Sequence, residues 1–180
     1  MSNTSIAVFR TDQATKAFDL ILREHPQWRI AVNQPKFDYK ANVLICHDRQ
    51  VALVWVTCPA FEASNLYQTL GQILDCWWLE VFFLEHVVWE YNLYQNIQLH
   101  HQFIPYPEMW EMTEAKLGDV QQLANIWNVK KQKLDRYLRR WDDSLKPKKA
   151  YFWSDRFRYK HPNQGFDFIH ALTGLRFPDC

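Results

Sequence analysis

The chain has 180 residues, enough for one compact α/β domain with an appendage or for two small domains sharing an interface. Hydrophobic residues make up 48%, which excludes a disordered chain, and nine Trp with twelve Phe imply rings that are buried, offered to a partner, or both. The net charge of +1 hides an asymmetry: residues 61–115 hold eight acidic side chains and no Lys or Arg, whereas in 116–160 thirteen Lys or Arg stand against five Asp, a local excess of eight.

The first residues, Met1 to Ser5, show no basic-then-apolar leader, and the longest apolar run, Trp77 to Trp89, is interrupted by Glu80, Glu85 and His86. A cytoplasmic protein without a membrane partner is expected. Cys46, Cys58, Cys76 and Cys180 are scattered without CxxC spacing, as expected of reduced thiols.

Thr15 to His25 carries apolar residues at helical spacing and predicts a first helix ending near Pro26. Val43–Cys46 and Val51–Thr57 are β-rich runs around the polar turn His47-Asp48-Arg49-Gln50, which predicts a hairpin. Both faces of the second run are apolar, so that strand is expected inside a sheet covered on both sides. From Ser64, read as an N-cap, Leu66, Leu70, Ile73 and Trp77 fall on one face of an amphipathic helix of about four turns. Val81 to Val88 reads as a further strand, and His100 to Met112, with Pro105 and Pro107, as a connector.

Val120 to Arg139 carries the strongest pattern. A helix-turn-helix needs apolar residues at its fourth, eighth, tenth, fifteenth and eighteenth places and a small residue at the fifth. Those places hold Leu123, Trp127, Val129, Leu134, Tyr137 and Ala124. The turn place, which commonly needs a positive φ, holds Asn128, the residue that best tolerates that conformation after Gly. Asp119 is placed to cap the first helix. The second helix would then project Lys130, Lys131, Gln132, Arg136, Arg139 and Arg140 towards double-stranded DNA, Gln and Arg suiting base edges and Lys suiting phosphate. Beyond it, Lys148, Lys149, Arg156 and Arg158 interleave with Tyr151, Phe152, Trp153 and Phe157, as an arm along the duplex or as core aromatics. A plain helix pair with a solvated basic face fits the same residues.

The order helix, FDYKANVLI, VALVWVTC, then the helix containing YQTLGQ, resembles the PD-(D/E)xK nucleases. With the helix-turn-helix behind it, the layout is similar to the TnsA-type endonuclease subunit of heteromeric transposases. The resemblance implies that Asp38 stands at the catalytic aspartate position, where such enzymes hold Mg²⁺; the (D/E)xK place falls on Val56-Thr57-Cys58, which lacks both acid and lysine. A centre rebuilt from Glu62 or Asp75, or a nuclease fold kept as a scaffold, would follow. A turn or strand-edge role is the plainer one for Asp38. Cys46-His47, Cys58 and Cys76 lack the pair spacing of a zinc site, and the adjacent His100 and His101 suit a surface loop.

The expected architecture is α/β, a small mixed sheet flanked by helices in the restriction-endonuclease manner (1–112), followed by an α-helical helix-turn-helix with a basic aromatic arm (113–180). The expected function is a DNA-binding accessory protein of a mobile element or phage, within an assembly such as a transposition complex. A protein partner would dock on the acidic aromatic stretch Trp77–Trp110, and no cofactor is expected beyond Mg²⁺ on the nuclease reading. The alternatives are an active metal-dependent endonuclease and a protein–protein inhibitor or adaptor.

Overall fold

The computed structural model describes residues 4–34, 36–38, 40–56, 60–84, 88–141 and 164–177. The Lys148, Lys149, Arg156 and Arg158 arm, Cys58 and the side chain of Glu62 lie outside the described residues.

The chain builds an eight-stranded mixed sheet from β1 (Thr4–Arg10), β2 (Ile30–Val32), β3 (Val43–Cys46), β4 (Val51–Val56), β5 (Trp77–Leu84), β6 (Val88–Gln95), β7 (Gln98–Ile104) and β8 (Lys116–Leu117). The spatial order is β2-β3-β4-β1-β5-β6-β7-β8. Only the β2–β3 pairing is parallel among these. The helices are α1 (Ala14–Glu24), α2 (Ala60–Leu74), α3 (Val120–Trp127) and α4 (Gln164–Thr173).

Period-two alternation sends the strand residues to two separate cores. On one face Ala7, Phe9, Ile45 and Val54 pack with Phe18 of α1 and Tyr67 of α2. On the other, Leu79, Trp89, Tyr91 and Phe103 pack with Leu123, Trp127 and Tyr137 after the sheet and with Phe168 of α4. Residues from both sides of position 112 therefore share one core. The aromatic-rich composition is spent there: the Tyr91 and Phe168 rings lie 5.5 Å apart and nearly parallel, and Trp89 stands 4.7 Å from Phe103. On the first face α2 approaches β5 so closely that a Cβ on Gly71 would collide with the Trp78 indole, whose Nε1 donates to the Asn96 carbonyl at 2.6 Å.

The helix over 15–25 and the hairpin about 47–50 are present, with Gln50 left-handed at φ 51°. Two expectations are corrected. The amphipathic helix begins at Ala60, so Ser64 is not its cap; its hydroxyl instead donates to the buried Glu80 carboxylate. The connector expected from His100 to Met112 begins as strand β7, which runs to Ile104, so His100 and His101 lie on a strand and not in a loop. β1, which no sequence pattern marks, is the buried strand at the centre of the sheet.

Candidate functional site

α3 begins where Asp119 Oδ1 accepts the Gln122 amide at 2.9 Å, satisfying a first-turn donor. It buries Leu123, Ala124 and Trp127 and stops at Asn128, with φ 53° and ψ 47°. The Val129 amide returns to the Ala124 carbonyl at 3.0 Å, the long bond of a Schellman stop. Of the six positions required by the pattern, Leu123, Ala124, Trp127, Leu134 and Tyr137 are buried and Val129 packs partly buried against the same core.

No second α-helix forms over residues 129–141, which follow this turn. Lys131–Lys133 make one 3₁₀ turn, and irregular turns continue until the Trp141 amide is fixed to the Pro105 carbonyl at 2.8 Å. Lys130 and Lys133, three residues apart, would stand side by side and repel on a continued helix, and the pinned end shortens the run available. Lys130, Lys131, Gln132 and Arg139 are exposed. Arg136 is half-buried: its Nη2 donates to the Tyr137 hydroxyl at 2.7 Å, and its guanidinium lies 4.8 Å over the same ring. Arg140 pairs with Glu108.

Behind the turn, Arg10, Arg49, Lys133 and Arg136 line a cavity of about 530 Å³ with Asp48 and His170. Arg10 ends β1 and braces the floor, its Nη1 donating to the Arg49 and Gln50 carbonyls at 2.8 and 3.1 Å and its Nε to the Ile126 carbonyl at 3.3 Å. Arg49, in the β3–β4 turn, donates through Nη1 to Cys46 Sγ at 3.2 Å, while the Cys46 thiol donates to Asp48 Oδ1 at 2.7 Å. That thiol bond holds Asp48 below the usual carboxylate range, and burial, then the Asp48 contact, pushes the Cys46 thiol up. Burial lowers the His170 pKa, against the hydrogen bond to the Leu175 carbonyl and with the Arg176 and Lys133 charges adding to the fall. The four cations come from three distant stretches, and Arg10, Arg49, Lys133 and His170 carry no local motif that marks them.

The chain matches no family model, no curated protein and no solved structure.

The other candidates take up structural positions. Asp38 closes a turn, its Oδ1 accepting the Lys40 amide at 2.9 Å and its carbonyl accepting the Ala41 amide at 2.8 Å. Asp75 accepts the Asn96 side-chain amide at 3.1 Å at the end of α2. Among the described residues, no group of three or more His, Cys, Asp or Glu side chains is placed to hold a metal ion; Cys46 and Cys76 are free thiols. Tyr91 Oη lies 3.5 Å from His101 Nδ1, and burial lowers the His101 pKa.

The stretch from Trp77 to Trp110 turns most of its rings inward, with Trp78, Trp89, Tyr91 and Phe103 fully buried and Trp110 48% exposed. Two of its acids are buried as well. Burial lifts Glu80 to about 7 against donors from Ser64 and Asn92, and Glu90 to about 6 against the Trp110 indole. Among the described residues, no helix is long and apolar enough to cross a membrane.

Proposed function

We propose that this chain binds double-stranded DNA through the phosphate backbone, using the surface from Asp119 to Trp141. The observation that supports it is the exposed cationic turn: Lys130, Lys131 and Lys133 are presented within one short turn on a base fixed by Leu123, Trp127, Leu134 and Tyr137. Lysine ammonium groups bind phosphate without regard to sequence, whereas base reading asks for a helix or ribbon that enters the major groove. A single 3₁₀ turn offers neither. Site choice then falls to a partner, which fits an accessory role in a larger protein–DNA assembly such as a mobile-element or phage transposition complex.

Titration of a labelled duplex over a salt series tests the proposal. Binding should weaken steeply as salt rises from about 50 to about 200 mM, with little preference among sequences. The Lys130→Ala/Lys131→Ala variant should reduce the slope of log K against log salt by about two. A salt-independent affinity, or an unchanged slope in the variant, overturns it.

A further inference from the structure

We infer that the cavity between the α3 turn, the β3–β4 turn and the end of α4 is a binding site for a phosphoryl group. This deepens the DNA-binding reading and rests on it only for the source of that group.

The charge balance points this way. Arg10, Arg49 and Lys133 bring three positive charges to one cavity of about 530 Å³, and Asp48 offsets one of them. α3 and α4 both end at its wall, at Asn128 and Gly174, and two helix C-termini supply about one further negative charge. That dipole explains Arg10, which bonds the Ile126 carbonyl in the last turn of α3. Arg49 is held by Cys46 and by the Asp48 carboxylate at 4.0 Å and lies against Gly174 at the end of α4, and the exposed Lys133 adds a further charge to the same wall. The carbonyls that Arg10 grips carry no net charge, so its own charge persists in the cavity. Arg136, seated on Tyr137, adds to the same field. The wall thus keeps a positive excess that an anion would fill.

The donor set favours phosphate over a carboxylate. Two planar guanidinium groups and an ammonium, carried on three separate elements, match a tetrahedral group with three or four acceptor oxygens better than a planar group with two. The volume lies within the range of small-molecule sites, larger than one phosphate needs, so the group can arrive attached to a nucleoside or a strand.

Calorimetric titration with pyrophosphate at constant ionic strength tests the site. One saturable site is expected, with affinity at least tenfold weaker in Lys133→Ala and in Arg49→Ala and partly restored in Lys133→Arg. Lys133 is exposed, so its variant keeps the test open even where Arg49→Ala fails to fold. Absence of saturable binding, or unchanged affinity in both variants, overturns the inference. Competition then identifies the source. Displacement of pyrophosphate by duplex supports a nucleic-acid phosphate; pyrophosphate binding to a chain that binds no duplex supports the cavity with a free phosphorylated ligand and sinks the DNA reading alone.

Discussion

Glu80 and Lys116, three strands apart in the sheet, are joined by an unbroken line of side-chain hydrogen bonds. The Lys116 ammonium donates to the Gln102 amide oxygen. Gln102 Nε2 donates to Asn92 Oδ1 at 2.7 Å, and Asn92 in turn hydrogen-bonds the Glu80 carboxylate. Glu80 faces Asn92 and Asn92 faces Gln102 in the strand register, so the line follows the pleat across β5, β6 and β7 to β8. Each amide is polarised in the same sense, cation at the exposed edge and acid in the core. Ser64 of α2 closes the buried end.

Burial still dominates at Glu80, raising it from the ordinary 4.5 to about 7. Below pH 4.5 the carboxyl is protonated in both the folded and the unfolded chain. As pH rises towards 7 the unfolded chain gives up the proton while the native one keeps it, so stability falls by roughly 3 kcal/mol across that window and then levels. Glu90 adds a smaller loss of the same sign up to about pH 6. Glu80→Gln should remove most of the slope and leave the chain about 1–2 kcal/mol more stable than the parent at pH 8, one accepted hydrogen bond being lost. Urea midpoints at pH 4.5, 6 and 8 read this directly, and parallel curves for the two proteins would contradict it.

Asn92→Leu cuts the line at its centre. Gln102 Nε2 loses its acceptor and Glu80 a donor, which should cost about 1–3 kcal/mol at pH 8. With the carboxylate less solvated, the Glu80 transition should also move upward in pH. In Glu80→Gln the same substitution should cost less, because no charge is left bare. A double-mutant cycle measures the difference, and a coupling near zero would mean the two residues act independently.

How far these features can be read from the chain depends on how local their causes are. The β3–β4 hairpin and α1 follow from neighbouring residues, and so do the α3 cap at Asp119 and stop at Asn128. Period and turn chemistry each act over a few positions. β1 is harder: with Ile6, Ala7, Val8 and Phe9 all buried, no alternation marks it. β7 lies at the margin of the sheet, and its polar His100, His101 and Gln102 resemble a loop. The apolar positions of a second helix at 134 and 137 are honoured by burial while the backbone takes turns, since packing fixes which side chains point inward and leaves the hydrogen-bond pattern open. The cavity has no local signature at all, because Arg10 and Arg49 meet Lys133 only through the sheet.

Asn128 separates conformation from side-chain chemistry. Its left-handed backbone is what ends α3 and turns the chain into the cationic segment. Asn128→Gly should leave stability equal or slightly higher, whereas Asn128→Ile should lose about 1–2 kcal/mol, since a β-branched residue resists positive φ. Thermal midpoints for the pair decide it. Equal losses would show that the Asn side chain, and not the backbone, holds the turn.

Arg10 serves both the fold and the cavity, and two substitutions pull these roles apart. Its guanidinium ties the β3–β4 turn to the last turn of α3 through three carbonyls, a geometry that needs the planar fork. Arg10→Lys keeps the charge and loses most of that bracing; Arg10→Met keeps only the apolar stem. Both should lose about 1–3 kcal/mol of stability, with Met the larger loss because every side-chain donor to the three carbonyls goes, the Gln50 carbonyl keeping the Thr11 amide. Pyrophosphate affinity should divide them differently. Arg10→Lys should stay within a few-fold of the parent, while Arg10→Met should fall about tenfold with the charge. Affinity that tracks stability across both variants would make Arg10 a bracket for the cavity wall and no more; affinity that tracks charge would make it part of the site.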